Sequence, residues 1–153
     1  MVLTGCEIAV PGRSPAPVPG AAAPASGEDT DQDTGLLEQV LGAVDSTSAT
    51  VAAALARHRG LASSLQPLVD LHAAHRGVLD EAAQVPPPAA AAGSVPGAPA
   101  AALALVRRTE EHLAGLLRRA AVAARSGDLA RVLASMSAGV GQHAAVLGGG
   151  SPQ

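Results

Sequence analysis

Four stretches of this chain repeat small apolar side chains every three to four residues, the helical rhythm in which such positions share one face. The first runs from about Leu36 to Arg57, with Leu37, Val40, Leu41, Val44, Ser48, Val51 and Leu55 in line, and stops at Gly60. The second, from about Leu61 to Gln84, carries Leu61, Leu65, Leu68, His72, His75, Leu79 and Ala82, with Pro67 in its opening turns. The third covers about Ala100 to Arg125 and aligns Leu103, Val106, Glu110, Leu113, Leu117, Ala120 and Ala124. The turn Ser126-Gly127-Asp128 leads to the fourth, whose stripe is Leu129, Val132, Leu133, Met136, Val140, His143 and Leu147. Between the second and third, Val85 to Pro99 is a Pro/Ala/Gly-rich connection. Two helical hairpins joined in this way predict an all-α four-helix bundle over residues 35–147, followed by an unordered tail, 148–153.

Composition points the same way. The chain has no Phe, Tyr or Trp, residues that strands favour, and is rich in Ala and Leu, which helices favour. A core of Leu, Val and Ala alone is thin, and it has room to serve one domain. A proline-rich connection of about 15 residues can reach about 45 Å, whereas a helix of about 24 residues is only about 36 Å long. The link between the hairpins can therefore cross the length of the bundle, and a plain up-down return would not need so many residues.

The single cysteine stands in Leu3-Thr4-Gly5-Cys6, the pattern at which bacterial lipoproteins are cleaved and acylated: an apolar residue three before the thiol and small residues between. Residues 1–6 are accordingly expected to be the remnant of a lipoprotein signal, with an in-frame upstream start supplying its basic and apolar parts. Residues 7–34 hold five prolines and a net charge of −4, while the rest of the chain carries +1. Such a segment reads as a disordered tether between a lipid on Cys6 and the bundle. The expected location is the outer face of the cytoplasmic membrane, reached through the lipid, since no apolar run approaches the roughly 18 residues of a spanning helix. No strongly basic face argues for a nucleic-acid partner.

Polar residues inside the stripes carry what functional signal there is. Helical phase points His72, His75, Glu110 and His143 inward, and counting from the turns at Gly60 and Gly127 sets them at similar heights. Ser48, facing inward, and Asp45, at the rim, stand level with the histidine pair as supporting hydrogen-bond partners. Three imidazoles and a carboxylate suit one divalent Zn, Fe or Mn ion. The same residues also suit a metal-free core in which neutral histidines bond to Glu110 and Ser48, satisfying groups that would otherwise cost about 1–3 kcal/mol each. His58, at a helix end, and His112, off the stripe, read as capping or solvated.

The segments Arg57-His58-Arg59-Gly60-Leu61, Leu65-Gln66-Pro67-Leu68 leading to His72-Ala73-Ala74-His75, and Ser126-Gly127-Asp128-Leu129-Ala130-Arg131-Val132-Leu133-Ala134-Ser135 ending at Gln142-His143 resemble the small ferritin-like domain proteins of actinobacteria. Many of those are exported or lipid-anchored. The resemblance spans about Leu36 to Leu147 and implies a ferritin-like bundle with its crossover between the second and third helices. Metal-binding members of that fold draw a Glu from each of two helices and Glu-x-x-His from each of the others. By position Glu110 matches one lone Glu, and His75 and His143 match the motif histidines. His72 and Val140 stand where the motif carboxylates should, and the first helix offers only Ser48 or Asp45. One inward carboxylate cannot bridge two irons, which argues against di-iron oxidase or iron-storage chemistry.

No Gly-x-Ser-x-Gly turn, phosphate loop or aromatic platform is present, and no catalytic residue is assigned. Two roles remain: a lipid-anchored bundle that binds one divalent metal, or a non-catalytic envelope module that binds another protein without metal.

Overall fold

A computed structural model describes residues 27–83 and 93–149. The described residues form four α-helices and no strand: α1 Gly27–Arg57, α2 Ala62–Ala83, α3 Pro99–Ala123 and α4 Gly127–Gly149, with a 3-10 turn at Arg59–Leu61 before α2. The all-helical expectation is met. Leu3-Thr4-Gly5-Cys6, residues 7–26, 84–92 and 150–153 lie outside the described residues.

The start of α1 corrects the boundary expected at residue 35. Residues 27–34, assigned by sequence to the disordered tether, are the first two turns of α1. Glu28 and Asp29 sit in the first turn, where negative charge complements the helix dipole. Asp33 then accepts hydrogen bonds from the backbone N–H groups of Arg125 and Ser126, both at 2.8 Å. Gln32 donates to the Ala123 carbonyl at 3.1 Å and accepts from Arg125 Nε at 3.0 Å. The acidic run thus satisfies the exposed backbone of the α3–α4 turn.

Local chemistry sets the other ends. Pro99 opens α3, where its missing N–H costs nothing. Ala124 has left the helix, with ψ 136°, so α3 ends before the Arg125 expected from its stripe. Ser126 caps α4, its hydroxyl accepting from the Leu129 N–H at 3.3 Å. At the other end α4 passes the boundary expected at 148, since Gly148 and Gly149 are still helical. The Arg107 side chain lies beside Gly148, where a Cβ would come within 3.3 Å of its guanidinium. A cation at a helix C-terminus is favourable there.

Contacts at the two ends fix the helix directions. Asp33 of α1 meets the end of α3 and the start of α4, while His58, just after α1, donates from Nε2 to the Pro96 carbonyl at 2.8 Å, just before α3. Hence α1 and α4 run one way, α2 and α3 the other. The neighbouring pairs are α1/α2, α1/α3, α3/α4 and α2/α4, with α2 and α3 facing each other across the diagonal. Of these, α2 and α4 approach least.

The core is in two parts. Val40, Leu41, Val44, Leu79, Leu113, Leu117, Ala120, Leu133, Met136 and Val140 fill one half, and Val51, Ala54, Leu65, Leu68 and Val106 the other. Between them, at the same height on each helix, lie Thr47 of α1, His72 and His75 of α2 and Glu110 of α3, all buried.

Candidate functional site: a buried polar layer

Each residue of the layer is held by the apolar turns above and below it. Leu68 and Leu79 bracket the α2 histidines, and Val106 and Leu113 bracket Glu110, so helical period alone carries the polar groups into the interior. His72 and Glu110 are 1 % and 0 % exposed, and His72 Nε2–H donates to Glu110 Oε1 at 2.8 Å. This bond spans the diagonal and joins the two helices that otherwise barely meet. A buried carboxylate without such a partner would cost several kcal/mol.

The His75 ring stands edge-on to that of His72, with centroids 6.4 Å apart. It faces α4 at Gly139, where an added Cβ would lie 3.9 Å from His75 Nε2 and 3.7 Å from Leu71. Burial, reinforced by the charges that His72 and His143 would carry, pushes the His75 pKa down to about 4. The ring is therefore neutral at physiological pH. Three atoms of the layer are buried without a hydrogen-bond partner: His72 Nδ1, His75 Nδ1 and Glu110 Oε2.

His143 departs from its expected place. Helical phase set it inward beside Glu110, but Ala144 is the buried residue of that turn, and His143 is half-buried in a groove. That groove, about 350 Å³, lies between the start of α2 and the end of α4 and is lined among others by Pro67, Leu68, Leu103 and Leu147. His143 is near enough to oppose charge on His75. A second groove of about 320 Å³ opens at the other end of the same seam, between Val78 and Leu79 of α2 and Leu129 and Val132 of α4.

The supporting residues expected from α1 are also displaced. Asp45 is bonded to Arg76, which bonds Asp80 as well, so it does not reach the histidines. Ser48 is half-buried, and the buried hydroxyl of α1 is Thr47. With Asp45 opposite Arg76, Thr47 falls within a turn of His72 on the neighbouring helix. The sequence held a signal for this: steps of three, four and three from Val44 give Thr47, Val51 and Ala54, all buried, in place of Ser48 and Leu55. His112 is exposed, as its position off the stripe implies, whereas His58 makes no side-chain cap and is half-buried, its ring bonded to the Pro96 carbonyl.

Of the four candidate metal ligands the structure pairs two, His72 and Glu110, sets His75 beside them and leaves His143 at the rim. Among the described residues no three His, Cys, Asp or Glu side chains are grouped so as to hold one metal ion. His72 Nε2 and Glu110 Oε1, donors that a metal would need, are bonded to each other. The arrangement does not fit the metal centre considered from sequence; it is a hydrogen-bonded core layer. No described helix is long and apolar enough to cross a membrane. No family model, curated protein or solved structure matches the chain.

Proposed function

We propose that the chain is an exported, lipid-anchored, ferritin-like bundle that serves the cell envelope as a non-catalytic interaction module, with a metal-free polar layer. The observation that carries the metal-free reading is the closed His72–Glu110 bond, with no third His, Cys, Asp or Glu among the described residues grouped with the pair so as to hold an ion. The ferritin-like reading is supported by the helix directions, because α2 ends at one end of the bundle and α3 begins at the other. The reading as a lipoprotein rests on Leu3-Thr4-Gly5-Cys6, and the envelope location follows from it. The interaction role is supported by the apolar grooves at both ends of the α2/α4 seam, each bordered by a solvent-exposed valine, Val78 or Val146.

Metal content decides the first point. Protein purified without chelator should hold no stoichiometric Zn, Fe or Mn, and added Zn²⁺ should leave the Tm of parent and His75→Ala protein equally unmoved. A Tm gain present in the parent and lost in His75→Ala and His143→Ala would restore the metal-binding reading. For the anchor, the gene with its upstream reading frame should yield a membrane-partitioning product, and Cys6→Ser should release it. Equal partitioning of the Cys6→Ser form would remove the lipid from the account.

A further inference from the structure

Three features meet where α2 faces α4. The seam is the least closely packed of the four helix contacts and has a groove at either end. His75 lies in its middle against Gly139, a residue with no side chain to hold the ring in place. Among the described residues around it no charged or titratable group bonds the His75 ring, although Glu110 Oε2 in the same layer has no partner. On α2 itself stand His72, bonded to Glu110, and Arg76, bonded to Asp45 and Asp80. From α4 comes His143, and the acid described on that helix, Asp128, is bonded to Arg131. From α1 comes Asp45, held by Arg76, and from α3 Glu110, whose hydrogen bond is to His72. His75 Nδ1 has no acceptor at all.

We propose that the α2/α4 seam is an acid-released gate: when His75 gains a proton, the helices part there and uncover the apolar walls between them. An imidazolium in the closed seam would have two other histidines beside it, and its buried Nδ1–H meets no acceptor as the side chains stand. In the open seam it has water. The α1/α3/α4 contacts contain no buried histidine and have no such reason to respond. The size of the effect follows from linkage. In the closed seam His75 titrates at about 4, against 6.5 when solvated. Opening is then favoured roughly thirtyfold more at pH 5 than at pH 7.5.

The inference rests on the metal-free reading, and its test separates the two. Amide hydrogen exchange of the full chain, corrected for intrinsic rates, is followed at both pH values in EDTA. Amides from Leu71 to Leu79 and from Met136 to Ala144 should accelerate by roughly thirtyfold through an opening that low urea barely affects, whereas those at the α1/α3 interface exchange only through urea-sensitive global unfolding. His75→Gln, which stays neutral, should abolish the difference. Acceleration of the seam amides only through the urea-sensitive global route, or persisting in His75→Gln, would overturn the gate. So would its absence, the result expected if Glu110 turned to accept from His75. A change on adding EDTA at pH 7.5 would instead refute the metal-free reading, while the acid arm in EDTA still decides the gate.

Discussion

Glu110 is the residue on which the layer depends, since it is wholly enclosed and its hydrogen bond ties α3 to α2. Truncation in Glu110→Ala leaves His72 Nε2–H without an acceptor and opens a void, and should cost about 2–4 kcal/mol in urea denaturation. Replacing both partners by leucine removes the desolvated groups together and should be neutral or stabilising by about 1–4 kcal/mol. A double variant as weak as Glu110→Ala would show that the bond itself is a net source of stability. His75 makes a separate contribution. Its folded-state pKa, about 4, lies below the 6.5 it regains on unfolding, so below pH 6.5 the unfolded chain binds more protons. This contribution should be level above that pH, fall through the interval, and be level again below about pH 4, a total of about 3 kcal/mol. The same titration on His75→Gln should lose this component; an unchanged profile would place the acid sensitivity elsewhere. The inward set on α2 and α3 was legible because each polar residue is bracketed by large aliphatics in strict phase. On α1 it was not, since Thr47 and Ala54 compete with Ser48 and Leu55 for one broad arc, and only packing against two neighbours chooses between them.

At the level of the element, α1 shows how composition can mislead. An acidic, Thr- and Gly-bearing run after a proline-rich segment reads as solvated chain, yet Gln32 and Asp33 make it the cap of a turn more than ninety residues away. Nothing in the local sequence reports a partner at that separation. Asp33→Ala should therefore cost about 1 kcal/mol, as loss of a capping carboxylate does, while Asp31→Ala, on the exposed face, should cost little. Equal effects of the two substitutions on Tm would mean that general charge, and not the cap, is what the run supplies. The helix ends marked by Pro99 and Ser126 were readable because their signals are local: a missing N–H at the first turn, and a hydroxyl three residues before Leu129.

For the whole molecule, four stripes and three breaks sufficed to anticipate an all-helical bundle, because period and turn chemistry are both written in neighbouring residues. How the helices pair is a matter of long-range contacts, visible only in pairs such as His58 with Pro96 and Asp33 with Ser126. The polar layer has a consequence at this scale. Helices built from Leu, Val and Ala offer nearly equivalent fits when one slides by a turn past another, about 5.4 Å. Here such a slip would press Glu110 and His72 into the leucines on either side, with neither finding the other. The layer therefore acts as an index mark along the bundle axis, as a lone buried asparagine does in a coiled coil. The leucine double variant should keep its helical circular dichroism but give broadened, multiple amide resonances where the parent gives single ones. If its spectrum is as sharp as the parent's, alignment is set by the apolar side chains alone. In a molecule without Phe, Tyr or Trp to fix its core by shape, one misfit pair of polar groups supplies the address that the hydrocarbons lack.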